Sequence, residues 1–248
     1  MSELQHPDAR SFEDVAELYE RVRPTYPDEA VDWLVEQLGI DRSSTVLDLG
    51  AGTGKLTRML IPRAARVIAV EPGPEMLAQL RGAVPEAEAV LGAAEAIPLG
   101  DDTVDAVVCG QSFHWFRTDE ALAEIQRVLR RGGGLGLIWN MRDPDDPLQQ
   151  EITALLDPFV PTGRPTDEGV EAFVRRTFDE VEKHVVPFEQ DLDAETVVAR
   201  IGSISFVVAA PDEKREELFR TVRGLALNRG GSVPFRYRTE AYAILNVA

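Results

Sequence analysis

The sequence predicts an α/β fold, in which a doubly wound and mostly parallel sheet of seven strands has helices on both faces. Three observations predict it. Short apolar runs alternate with amphipathic segments through residues 41–140, which is the pattern of strand–helix–strand units. A glycine-rich turn follows the first apolar run. Two further strand-like segments near the end of the chain favour a final antiparallel strand, with helical lid elements around the sheet.

The N-terminal part predicts helices that cover the sheet. Apolar residues within 11–20 are spaced as on one face of a helix, and two prolines in 23–27 end that helix. Asp28 is then expected to cap a second helix over residues 29–38.

Five apolar segments in the following hundred residues are predicted strands, and three amphipathic segments between them are predicted helices. The strands are residues 45–49, 66–70, 87–91, 104–109 and 135–139, and the helices are residues 55–61, 74–83 and 118–129. A run of three glycines, 132–134, is expected to form a turn before the fifth strand.

The alternation breaks after residue 140, where helices at 148–156 and 170–177 are expected to form an insertion over the sheet. The sheet is completed by predicted strands at 182–190 and 233–246, with helices at 194–201 and 211–227. We therefore predict a single domain over residues 1–248. Its parts are a helical cover (1–40), a ligand-binding core (41–140), a helical insertion (141–180) and the C-terminal strands and helices (181–248).

The amino-acid composition argues against certain classes of partner. Lys and Arg number 26 and Asp and Glu number 43, giving a net charge of −17, which argues against nucleic acid and anionic membranes. The single cysteine, Cys109, lies in an apolar run and suits a buried, inert thiol in a reducing, cytoplasmic compartment. Three scattered histidines offer no metal-ligand spacing, so no metal is expected.

A glycine-rich turn carries the strongest signal, in the segment from Val46 to Gly54. Glycines at alternate positions (Gly50, Gly52 and Gly54) stand directly between a predicted strand and a predicted helix. Glycine permits a tight turn and close approach of a ligand, and the helix start presents unpaired N–H groups. Glu71 ends the next strand, 21 residues after Gly50, where an acid can accept both hydroxyls of a ribose. The sequence therefore predicts a site for an adenosine-bearing ligand.

The glycine spacing separates the possible ligands. A dinucleotide fingerprint would place its third glycine at position 55, where this chain has Lys55. The sequence has no phosphate-cradling Gly-x-x-x-x-Gly-Lys-Ser/Thr and no Gly-x-Ser-x-Gly nucleophile elbow. A nicotinamide-dependent oxidoreductase stays open as an alternative, weakened by the displaced glycine.

These segments resemble the class I S-adenosylmethionine-dependent methyltransferases. The resemblance is good over roughly residues 11–140 and loose beyond. Within the class, the chain is similar to the small-molecule branch that includes trans-aconitate methyltransferases and quinone-biosynthesis C-methyltransferases. The resemblance implies a Rossmann-like fold and S-adenosylmethionine as cofactor.

The resemblance also implies roles for individual residues. Glu71 corresponds to the family's ribose-binding acid, and Met76 to the apolar residue that packs on the adenine. The implied cofactor-binding set is Tyr19, Arg23, Asp48, Gly50, Ala51, Gly52, Thr53, Gly54, Glu71, Met76, Ala94, Glu95 and Gln111.

Three segments outside the glycine turn contribute to that set. Ala94 and Glu95 would reach the adenine edge, and Gln111 would face the methionine end. Tyr19 or Arg23 would touch the methionine carboxylate. The alternative is a structural role, in which the prolines stiffen the turn and the tyrosines pack against the fold.

The acceptor side is predicted to include His114, Trp115 and Trp139. His114 is a candidate base, because its ordinary pKa lies near neutrality, and a packing role is the alternative. Packing explains both tryptophans equally well. No other catalytic residue is assigned.

Three arginines, Arg142, Arg236 and Arg238, are candidates for binding an acceptor carboxylate. Surface arginines without that role are the alternative.

The sequence thus predicts a methyltransferase acting on a small-molecule acceptor by in-line displacement, with S-adenosylhomocysteine as product. Alignment of the reacting atoms supplies most of the acceleration in such a reaction, and no metal is required. A non-catalytic S-adenosylmethionine-binding protein stays open as well, because a fold does not fix a function. The acceptor atom and the oligomeric state are not predicted.

Overall fold

The computed structural model describes residues 23–160, 172 and 180–245, and the strands of that part form one seven-stranded sheet. The strands are β1 (Thr45–Leu49), β2 (Arg66–Glu71), β3 (Glu88–Leu91), β4 (Val104–Gly110), β5 (Leu129–Arg142), β6 (Val181–Asp193) and β7 (Ser232–Ile244). The helices are α1 (Asp28–Gln37), α2 (Lys55–Leu60), α3 (Pro74–Ala83), α4 (Asp119–Val128), α5 (Pro147–Leu156), α6 (Ala194–Gly202), α7 (Ser205–Val208) and α8 (Asp212–Leu227).

The strand order is β3-β2-β1-β4-β5-β7-β6. The five strands from β3 to β5 are parallel, and β7 runs antiparallel to both of its neighbours. The predicted doubly wound, mostly parallel sheet with an antiparallel final strand is confirmed.

The central strands are apolar throughout because helices cover both of their faces. Side chains alternate along a strand, so Leu47 and Cys109 enter one core while Val46 and Val108 enter the other. Cys109 is buried, as predicted.

A third core lies under the C-terminal helices, where α5, α6 and α8 pack against β7. It includes Leu148, Val197, Leu218 and Phe235. The described helices include none that is long and apolar enough to cross a bilayer.

Strand β5 is much longer than predicted, because it begins at Leu129 instead of residue 135. The three glycines do not end the pairing. A Cβ at Gly133 would lie 2.8 Å from the Asp105 carbonyl oxygen, and one at Gly134 would lie 2.7 Å from Leu38 Cδ2. Glycine therefore permits close packing of β5 at these positions, with a register shift against β4.

The predicted capping role of Asp28 is wrong. Helix α1 begins at Asp28, and Pro27 occupies the capping position without a side-chain hydrogen bond. The carboxylate of Asp28 instead accepts a hydrogen bond from Arg63 at 2.8 Å. The predicted helices at 11–20 and 170–177 lie outside the described residues.

Candidate functional site

The glycine turn joins β1 to α2 at the carboxyl edge of the parallel sheet. Gly50, Gly52 and Gly54 all have positive φ angles, of 70°, 57° and 88°, which glycine adopts without steric cost. The N–H groups of Gly50 and Ala51 both donate to the carbonyl oxygen of Val70 on β2, at 2.8 and 3.1 Å. The turn is thereby fixed to the end of the neighbouring strand.

Glu71, the last residue of β2, is bound to the same turn. Its Oε2 accepts a hydrogen bond from Gly52 N at 2.8 Å, and its Oε1 accepts one from Gly73 N at 2.9 Å. Both hydrogen bonds orient the carboxylate, which is buried beside the glycine turn.

Asp48 is buried below the turn, with 1% of its surface exposed. Its Oδ2 accepts a hydrogen bond from Thr57 Oγ1 at 2.6 Å, whereas Oδ1 has no hydrogen-bond partner in the described structure. Burial raises the pKa of this carboxyl to about 7, against the lowering effect of Thr57.

The ends of β4 and β5 supply the next side chains along the sheet edge. Gln111 follows β4 with a positive φ of 57°, and its Nε2 donates to the Asn140 carbonyl oxygen at 3.2 Å. Ser112 Oγ donates to the Leu49 carbonyl oxygen at 2.8 Å. Asn140 is held by Thr25 and Thr239, through bonds of 3.0 and 2.7 Å.

These elements surround one central cavity with an empty volume of about 1350 Å³, counted out to its open mouth. Twelve of the predicted site residues line it. They are Arg23, Asp48, Gly50, Ala51, Gly52, Thr53, Glu71, Met76, Ala94, Glu95, Gln111 and Trp115. The structure thus brings together residues from five segments, although their roles toward a ligand stay predictions.

Other predicted residues lie elsewhere. Gly54 packs on α3, where an added Cβ would lie 3.0 Å from Val84 Cγ2, and it is absent from the cavity lining. His114 and Trp139 are absent from the lining too, and Trp139 Nε1 donates to His114 Nδ1 at 3.5 Å. Tyr19 lies outside the described residues.

The three arginines suggested for an acceptor carboxylate do not line the central cavity. Arg238 is paired with Asp143 at 2.9 Å, and Arg236 with Glu189 at 3.1 Å. Both arginines are therefore already paired with carboxylates of the same chain. Arg142 lines a separate shallow pocket beside α5.

The residues that line the cavity and that the sequence reasoning missed include Tyr26, Asn140 and Tyr237. Tyr26 stands in the proline segment before α1, and its hydroxyl oxygen would lie only 2.7 Å from a Cβ added at Gly110. Gly110 was therefore the sequence signal that could have pointed to a close approach at this position. Asn140 and Tyr237 reach the cavity only through the pairing of β5 with β7, which no local motif encodes.

Known proteins are similar to this chain in sequence. Residues 47–137 match the family described as a methyltransferase domain. An uncharacterized methyltransferase of Mycobacterium tuberculosis is 40% identical over 215 residues, which cover 87% of this chain and 85% of the relative. An uncharacterized methyltransferase-like protein of Schizosaccharomyces pombe is 38% identical over 245 residues, which cover 95% of each chain.

A solved structure of a candidate type II methyltransferase from Anaeromyxobacter dehalogenans has the same fold. It aligns with a TM-score of 0.67 at 24% identity, covering 90% of this chain and 96% of that one.

Proposed function

The chain belongs to the S-adenosylmethionine-dependent methyltransferases, and from that premise we propose that it transfers the cofactor's methyl group to a small-molecule acceptor by in-line displacement. The observation that carries the proposal is the hydrogen bond between Gly52 N and Glu71 Oε2 in the wall of the central cavity. It unites the open glycine turn and the strand-end acid, the two features an adenosyl ligand needs. Concave sites of this kind typically bind small molecules.

Several residues of the turn region fit the cofactor. An added Cβ at Gly52 would meet nothing within 4 Å, so a ligand can approach the backbone there. The unpartnered Oδ1 of Asp48, in the cavity lining, is an acceptor suited to an ammonium group. Glu71 is placed for the ribose hydroxyls, and Met76 offers an apolar surface for the adenine.

The chain's contribution to the reaction is placement and exclusion of water. When bound, the cofactor supplies a methyl group on a positively charged sulfur. Tyr26, Trp115 and Phe116 line the cavity beside the end of β4, and their rings keep water from an acceptor held there. Holding both reactants in one cavity converts an encounter into an oriented, unimolecular step. The lining residues that the structure describes do not include His114, so we assign it no role as general base.

Calorimetric titration with S-adenosylhomocysteine tests the cofactor site. Glu71→Ala is expected to weaken binding by about ten- to hundredfold, the usual effect of losing a charged hydrogen-bond acceptor. Glu75→Ala, an exposed acid on the first turn of α3, is the matched control and should bind like the wild type. Equal affinity in all three proteins contradicts the assignment.

Methyl transfer itself is tested with labelled S-adenosylmethionine and a panel of oxygen, nitrogen and carbon nucleophiles. Labelled product from at least one small molecule is the expected result. Cofactor binding without transfer to any member supports a non-catalytic binding protein. NADH binding in place of S-adenosylhomocysteine supports the oxidoreductase alternative.

A further inference from the structure

Basic and phenolic side chains surround the part of the central cavity formed by β7. Arg23 and Tyr237 both line it. Tyr237 lies on β7, four strand positions from Glu71 on β2, which is roughly 19 Å at the usual strand spacing. The adenosyl end of the proposed cofactor belongs beside Glu71, so the surroundings of Tyr237 belong to the acceptor.

Arg142 stands directly opposite Tyr237 in the pairing of β5 with β7. Residues opposite each other on antiparallel strands share one face of the sheet. The Nη1 atom of Arg142 is buried and has no hydrogen-bond partner in the described structure. Burial lowers the pKa of this guanidinium, and the charge of Arg23 acts in the same direction, whereas Tyr237 and Asp157 act in the opposite direction. A buried guanidinium nitrogen without a hydrogen-bond partner is costly for the free protein.

Two more arginines face the same phenol. Arg200 Nη1 donates to Tyr237 Oη at 2.6 Å, and its guanidinium lies 5.6 Å from the centre of that ring. Arg23 Nε donates to Ser203 Oγ at 2.8 Å, which anchors Arg23 at the end of α6. Burial raises the pKa of Tyr237, while the charges of Arg200, Arg23 and Arg142 act in the opposite direction.

The arginines on the other face of β7 differ from Arg142 in their partners. Side chains alternate along a strand, so Arg236 and Arg238 point away from Tyr237. Both are half-exposed and paired with carboxylates of the chain. The three arginines around Tyr237 (Arg23, Arg142 and Arg200) therefore form a locally basic cluster in a chain whose net charge is −17.

We propose that Arg142, together with Arg23 and Arg200, binds a carboxylate group of the acceptor beside Tyr237. The inference rests on the proposed function, because Arg23 and Tyr237 line the same cavity as the predicted cofactor residues. Arg142 lines the pocket beside α5, on the other side of Tyr237 from that cavity, so the carboxylate is placed between the two. A carboxylate matches the planar guanidinium with two parallel hydrogen bonds. It would also supply the partner that Arg142 Nη1 lacks.

The test is calorimetry with three carboxylates (benzoate, phenylacetate and succinate) and their primary amides, with and without S-adenosylhomocysteine. At least one carboxylate is expected to bind the wild type more tightly than its amide does. Arg142→Met is expected to weaken that binding by about ten- to hundredfold. Arg142→Lys keeps the charge and should retain part of the affinity, which a misfolded protein would not. Arg236→Met is the matched control and should bind like the wild type.

A second measurement separates a ligand-binding role from a structural one. Urea denaturation should show that Arg142→Met is at least as stable as the wild type, because the substitution removes a buried guanidinium nitrogen that has no hydrogen-bond partner. Its affinity for S-adenosylhomocysteine should be unchanged.

The inference is overturned if carboxylates bind no better than amides, or if Arg142→Met binds them as the wild type does. The titrations without S-adenosylhomocysteine decide this independently. Failure of the proposed function has a different signature, namely no binding of S-adenosylhomocysteine to the wild type.

Discussion

Asp48 is a buried carboxylic acid at the base of the glycine turn, and burial raises its pKa to about 7. Unfolding returns this pKa to its ordinary value of 3.8. The folded state therefore retains a proton that the unfolded state releases above about pH 4. The stability that this proton confers is complete below about pH 4 and is lost as the pH rises through about 7.

Asp48→Asn should remove this dependence, because an amide does not ionise. Urea denaturation at about pH 5 and about pH 8 should show that the wild type loses more stability than the variant, by on the order of 3 kcal/mol. Parallel losses in the two proteins would contradict the buried-acid description.

The same residue predicts a pH dependence of cofactor binding, given the proposed function. S-adenosylhomocysteine carries an ammonium group, which favours the ionised form of Asp48. Its affinity should rise about tenfold between about pH 6 and about pH 8, the range in which the free acid loses its proton. Asp48→Asn should give a flatter profile by calorimetry, and matching profiles would remove Asp48 from the site.

Among elements, the turn between β1 and α2 makes the most specific demand on sequence. Gly50 has a φ of 70°, and a Cβ there would lie 2.7 Å from Ser112 Cβ. Gly50→Ala is therefore expected to destabilise the protein by about 2 kcal/mol or more. Gly82→Ala is the control, because a Cβ in that part of α3 meets nothing within 4 Å and should stabilise by up to about 1 kcal/mol. Urea denaturation measures both changes, and equal effects would contradict the steric argument.

How far the sequence predicts each element depends on how local its determinants are. The strands β1, β2 and β4 are continuous apolar runs bounded by turn residues, so their positions follow from the pattern within two residues. The start of β5 does not, because glycines that usually mark a turn here permit contact with Leu38 and Asp105. That contact depends on α1 and β4, which are distant in the chain.

The same distinction applies to the candidate site. Residues of the glycine turn and Glu71 belong to a local motif, and the structure places them in one cavity. Tyr237 belongs to no motif, and its position depends on the pairing of β7 with β5. Single-sequence reasoning also identified Arg236 and Arg238 by residue type alone. It lacked the strand register that sets them on the opposite face from Tyr237.

At the scale of the whole molecule, the net charge of −17 predicts that the protein does not bind nucleic acid. Such a charge repels phosphate backbones. Fluorescence anisotropy with labelled duplex DNA and with RNA should show no binding at low salt, where electrostatic attraction would be strongest. Binding that weakens as salt is added would contradict this prediction.

The position of β7 between β5 and β6 has a consequence for biosynthesis. Strands β5 and β6 are both synthesised before β7, which pairs with each of them. Each therefore has an unpaired edge until β7 is made. Such edges recruit strands from other chains, and pairing over long sequence separation is slow. The nascent protein is therefore most prone to aggregation before β7 has been synthesised, when chaperone protection of β5 and β6 would matter most.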